Sequence, residues 1–103
     1  MKHFLLLYEN ASDYMERRAS LRRAHLEHAN HARARGELFL AGALNNPADG
    51  AVLVFTIETP RIAEEFARHD PYVINGLVTS WRVREWNTVV GENAANPIDP
   101  ATL

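Results

Sequence analysis

Residues 2–8 alternate Phe4, Leu6 and Tyr8 with Leu5 and Leu7, and residues 51–58 repeat the arrangement with Val52 and Val54 against Leu53, Phe55 and Ile57. Read as strands, both segments are apolar on each of their two faces, so a sheet built from them has to be covered on both sides. One layer of helices satisfies only half of that requirement. Any fold assigned to the chain has to supply a second cover.

The rest of the chain supplies the order. Asn10, Ser12 and Asp13 make a turn, and Asp13 followed by Glu16 has the spacing of a capping box for a helix that runs to about Arg35 and stops at Gly36. Leu38–Ala43 is a second strand, and Gly42 near its end suggests a bulge or a close approach of something to the backbone. Asn45, Asn46, Pro47, Asp49 and Gly50 form a loop that pairs this strand with residues 51–58 as an antiparallel hairpin. Thr59-Pro60 opens a short helix, the hydroxyl serving as its cap, with Ile62, Ala63, Phe66 and Ala67 as the buried stripe. Asp70-Pro71 ends it. Val78–Val90 reads as one long last strand, which closes a domain of residues 1–90. Residues 91–103, with Pro97 and Pro100, have no periodicity and are expected to be disordered or draped over a partner.

The order β-α-β-β-α-β is that of the ferredoxin-like α+β fold, a four-stranded antiparallel sheet with both helices on one face. A second copy of the sheet is the expected cover for the other face. That gives a two-fold homodimer with a barrel-like interior.

The first helix is unusual in where it puts charge. At about 100° per residue, Tyr14, Met15, Leu21, Leu26, Ala29 and Ala32 collect on one side, and Arg18, Arg22 and His25 fall in the middle of it. Glu16, Arg17, Ser20, Glu27 and Arg35 already occupy the opposite side. Basic groups on a packed face need an anion, a carboxylate or a wet pocket, because burying them unpartnered costs several kcal/mol each. His25 can take or give a proton near neutral pH; the plainer alternative is a histidine packed at a helix edge. Asp70 follows the second helix on the same side of the sheet, where its carboxylate can orient an imidazole. A turn aspartate accepting backbone N–H bonds would suit the position equally. Tyr72 can add a hydroxyl, although an aromatic there also suits the core. His25, His28 and His31 do not read as a metal site, since three-residue steps swing successive rings by about 60°. Trp81 and Trp86, five apart on a strand, point to opposite faces.

Composition narrows the classes. The formal charge is −2 and the pI about 6.2, with the arginines gathered mostly in one helix, which argues against a nucleic-acid binder. Cysteine is absent, so disulfides and thiol nucleophiles are excluded. The apolar run at the start ends at Glu9, too soon for a secretion signal, and no run approaches a membrane span. A soluble, cytoplasmic protein is expected. No glycine-rich phosphate loop or serine elbow occurs, and no cofactor or metal is called for.

Arg18, Arg22, His25 and Leu26, Ala41-Gly42, and Asp70-Pro71-Tyr72-Val73 followed by Gly76 together resemble the YCII-related family of small bacterial proteins. The resemblance runs to about Val90, although Ala43-Leu44 stands where relatives often carry a proline after the glycine. It implies a dimeric α+β barrel and an active site formed by a histidine and an aspartate, here His25 and Asp70. Some relatives are tied to breakdown of chlorinated or hydroxylated aromatics, and the wider barrel group includes muconolactone isomerases. The expectation is a cofactor-independent lyase or isomerase acting on a small anionic or aromatic molecule. In it His25 shuttles a proton, Asp70 orients the ring, and Arg18, Arg22, Tyr72 and Gly42 surround the substrate. A non-catalytic, ligand-binding homodimer is the alternative.

Overall fold

The inward faces of the first and third strands are apolar at every second residue, and the helices cover them. The computed structural model describes all 103 residues. In chain order they form β1 (Lys2–Asn10), α1 (Tyr14–Ala34), β2 (Leu38–Ala43), β3 (Gly50–Ile57), α2 (Arg61–His69), α3 (Pro71–Ile74) and β4 (Val78–Trp86). The sheet order is β2-β3-β1-β4 and every neighbouring pair is antiparallel, the ferredoxin-like layout. Phe4, Leu6 and Tyr8 lie in register with Phe55, Leu53 and Ala51 on β3 and with Glu85, Val83 and Trp81 on β4. Phe4, Leu6, Tyr8, Leu53 and Phe55 belong to one buried cluster with Tyr14 and Ala32 of α1 and Ala63, Phe66 and Ala67 of α2. The Phe55 and Phe66 rings meet edge to face at 5.4 Å.

The other face carries Leu5, Leu7, Val52 and Val54, all half-buried, and Leu40, which is 66% exposed. Trp81 packs against the core, whereas Trp86 on the outer side is 48% exposed.

Several local expectations give way. Asp13 makes no capping bond; its carboxylate accepts from Arg17 at 3.5 Å instead, and α2 starts at Arg61 with no side-chain cap from Thr59. The bulge in β2 falls between Leu38 and Leu40, while Gly42 pairs regularly with Val52 and a Cβ there would touch nothing within 4 Å. Gly50 is the glycine that a close approach demands, because a Cβ would sit 2.5 Å from the Tyr8 carbonyl oxygen.

β4 ends at Trp86 rather than Val90. Trp86 pairs with His3, and beyond it β1 has almost no residues left to bond. The segment after β4 folds back on its own chain. Asn96 N–H donates to the Thr88 carbonyl and Ile98 N–H to that of Val89, each at 3.0 Å, and Thr88 Oγ1 joins His3 Nδ1 at 2.7 Å. Ala95, Asn96 and Ile98 are thereby tied to residues 88 and 89, and the chain ends in a 3₁₀ turn at Pro100–Thr102. No helix is long and apolar enough to cross a membrane.

A candidate active site beneath the first helix

The inward stripe of α1 is Tyr14, Arg18, Leu21, His25, His28 and Ala32, spaced alternately by four and three residues, the positions that meet a neighbour on a helix. Met15 and Leu26 are 54% and 45% exposed and fall outside it, and only Tyr14 and Ala32 are fully buried. Polar members of the stripe each find a partner. His28 stacks on Phe66 with ring centroids 4.2 Å apart, and its Nε2 donates to the Phe66 carbonyl at 2.9 Å. Arg18 places its guanidinium 5.8 Å from the Tyr14 ring. No three His, Asp or Glu side chains gather as a metal-holding group.

His25 meets Asp70. Pro71 disfavours a helical residue before it, and Asp70 accordingly takes an extended conformation (φ −72°, ψ 124°) that ends α2 and begins α3. This corner turns the carboxylate inward, where it is wholly buried. Asp70 Oδ1 accepts from Tyr72 N–H at 3.0 Å and lies 2.8 Å from His25 Nδ1; Oδ2 accepts from the Tyr8 hydroxyl at 2.6 Å. The turn role and the histidine-pairing role, posed as alternatives for Asp70, are both filled by the one carboxylate. No buried polar side-chain atom is left without a partner.

An acceptor on that side of His25 makes Nδ1 the nitrogen that carries hydrogen. Nε2 is then left to accept, and it forms no hydrogen bond within the chain. Tyr72 backs the imidazole as a parallel plate, 3.8 Å away and tilted by 5°. Burial and then the neighbouring Tyr14 push the Tyr72 hydroxyl up to about 12, against the opposing pull of Arg22 and Arg18. Tyr72 thus stays a neutral donor at ordinary pH. Tyr8 is pushed far above its usual range, first by burial and then by the Asp70 charge and hydrogen bond.

A cavity of about 230 Å³ opens in front of these groups, between α1 and the β2 edge of the sheet. Its polar lining comes from His25, Arg22, Asn10 and the tyrosines Tyr8, Tyr14 and Tyr72. Its space comes from small residues. In register, Ala41 stands opposite Leu53 and Ala43 opposite Ala51, so three alanines share the face under α1, and Ala29 of the helix faces them across the cavity. Leucines there would fill it. Of the residues singled out from sequence, His25, Arg22, Tyr72 and Gly42 line the cavity, Asp70 sits behind His25, and Arg18 lies outside it against Tyr14. Tyr8 and Asn10 were not singled out. The clue for Tyr8 is a hydroxyl at the centre of the inward face of β1, where Phe4 and Leu6 are wholly apolar and every buried oxygen needs a bond.

The chain is thus a compact α+β protein in which a buried acid clamps a helix-borne histidine beside a small cavity under a ferredoxin-like sheet. The chain belongs to the YCII-related domain family, whose sequence model matches residues 1–87. Its structure is similar to that of the 5-chloro-2-hydroxyhydroquinone dehydrochlorinase TftG from Burkholderia phenoliruptrix AC1100, solved in complex with 2,5-dihydroxybenzoquinone. The two superpose with a TM-score of 0.70 over 84% of this chain and 94% of the other, at 19% sequence identity. No curated protein sequence matches this one.

Proposed function

We propose that the protein is a cofactor-independent enzyme that moves a proton on a small, acidic ring compound, a lyase or isomerase, with His25 as the base. The observation that carries this is the clamp: Nδ1 is held 2.8 Å from a fully buried carboxylate, so the only ring nitrogen free to react belongs to a residue lining the cavity. His25 Nε2 takes a proton from an acidic C–H or O–H of the substrate, and the electron pair passes into the ring. Asp70 stabilises the imidazolium that forms. The cycle closes in one of two ways. The proton returns at another ring atom, or a leaving group such as chloride departs with an electron pair and the proton is lost to solvent. Arg22, and the neutral Tyr72 hydroxyl as donor, offset negative charge developing on a substrate oxygen.

Size agrees with a single ring, since a cavity of about 230 Å³ lies just under the roughly 300–1,000 Å³ of pockets for drug-sized ligands. The activity named for TftG, loss of chloride from a hydroxylated ring, is chemistry of this type. A second copy of the chain covers the outer sheet face, where Leu5, Leu7, Val52, Val54 and Leu40 form an apolar surface.

The test is turnover of a panel of hydroxylated and chlorinated monocyclic phenols and benzoates, 5-chloro-2-hydroxyhydroquinone among them, followed by absorbance and chloride release. His25→Ala is expected to lose about 10²–10⁴ of the rate while binding stays within a few-fold. Binding by the wild type with no turnover across the panel would make this a ligand-binding module instead.

A further inference from the structure

Asp70 has two oxygens and three donors, and Oδ2 is shared, since it accepts from Tyr8 and also lies 3.1 Å from His25 Nδ1. The Tyr8 hydroxyl reaches Oδ2 at 2.6 Å, against 2.8 Å from Oδ1 to His25 Nδ1. Tyr8 is buried on an inner strand of the sheet, and Asp70 is the only partner of its hydroxyl within the chain. Hydrogen bonds to one carboxylate compete, because each donor draws off part of the same negative charge. We propose that Tyr8 is a positioning residue that takes a share of the Asp70 carboxylate and so moderates the hydrogen bond by which Asp70 holds and aims the His25 imidazole. This rests on the His25 function proposed above and adds a third group to it.

The surroundings of His25 are consistent with this role. Asp70 comes from the corner between α2 and α3, and Tyr72 from α3 lies flat against the imidazole. Tyr8 comes from β1, while Arg22 and Arg18 share α1 with His25, and Tyr14 meets the edge of Tyr72 at 5.9 Å. Asp70 is thus the sole carboxylate hydrogen-bonded to the ring, and Tyr8 the sole side chain besides His25 bonded to Asp70. Without Tyr8 the whole carboxylate would be left to His25 Nδ1 and Tyr72 N–H, and the bond that fixes the ring would tighten.

The experiment is a graded series at position 8 read by the far-downfield proton resonance of His25 Nδ1–H, which moves further downfield as the bond to Asp70 strengthens. Tyr8→Phe removes only the hydroxyl and is expected to move the resonance downfield. Replacement of Tyr8 by 3,5-difluorotyrosine, a stronger donor, is expected to move it upfield from wild type. Tyr14→Phe, which touches neither Asp70 nor His25 Nδ1, is expected to leave it in place. The difluorotyrosine protein keeps every bond, so it reports even if Tyr8→Phe fails to fold. A resonance indifferent to position 8, or displaced in the same direction by both replacements, would overturn the proposal. A graded shift combined with unchanged turnover in His25→Ala would support the charge sharing described here and remove the His25 function on which its use depends.

Discussion

Replacing Asp70 by asparagine and by alanine separates the two things the carboxylate does. Asparagine keeps the size and one carbonyl oxygen. That oxygen can still accept from Tyr72 N–H and His25 Nδ1–H, and the new NH₂ faces the Tyr8 hydroxyl, which can rotate to accept. Three bonds to a charged acceptor, each about 1.5–3 kcal/mol, become neutral bonds of about 0.5–1.5 kcal/mol. The gross loss of about 3 kcal/mol is partly offset because no charge is buried any longer. A net destabilisation of about 1–3 kcal/mol follows. Alanine leaves the Tyr8 hydroxyl, Tyr72 N–H and His25 Nδ1 without an acceptor in a site that is wholly buried at Asp70. About 3–5 kcal/mol is expected there, a large share of the 5–15 kcal/mol that holds a domain of this size together. Urea denaturation followed by tryptophan fluorescence measures both. At about 4–8 °C per kcal/mol, the two variants should also differ visibly in Tm. In the asparagine variant, long-range proton–nitrogen NMR should show a smaller fraction of His25 hydrogen on Nδ1. Equal losses in the two variants, with an unchanged tautomer in asparagine, would refute the bond accounting from which the site is built.

Other perturbations follow from separate features. Gly50→Ala drives a methyl group into the Tyr8 carbonyl oxygen at 2.5 Å, so a loss of about 1–3 kcal/mol in chemical denaturation is expected, together with chemical-shift changes along β1. Tyr8 and Tyr72 both hold their protons more tightly folded than unfolded. The unfolded chain therefore loses those protons first, and stability falls as pH rises above about 10. The Tyr72 contribution continues to fall until about pH 12, and Tyr72→Phe should flatten that part of a stability-versus-pH curve. Leu5→Lys on the outer sheet face should shift sedimentation from dimer to monomer, and a wild type that sediments as a monomer would remove the second copy proposed for that face.

Much of the fold was legible because its signals are local and redundant. The order of strands and helices follows from alternation, from Gly36 closing α1 and from the proline after Asp70. The pairing of His25 with Asp70 was also within reach, since the two helices share one sheet face and few other groups there are ionisable. Tyr8 escaped notice because alternation labels it simply as core, and only the three-dimensional meeting with Asp70 shows what its hydroxyl does. The inward stripe of α1 was misjudged for a related reason. Periodicity counts apolar residues, so it places Met15 and Leu26 inward, whereas Met15 is exposed, Leu26 lines a cavity kept open by alanines, and His28 takes an inward position on an aromatic ring and a carbonyl. The end of β4 depends on how far β1 extends, which no property of residues 87–90 records.

The alanine wall has a consequence for how such proteins diversify. Ala41 and Ala43 sit on an edge strand, whereas Tyr8 lies on an inner strand and Asp70 at a helix corner. Larger side chains on that outer strand would reshape the cavity without displacing His25, Asp70 or Tyr8, so under the proposed function the choice of ligand can change through single substitutions that leave those three groups as they are.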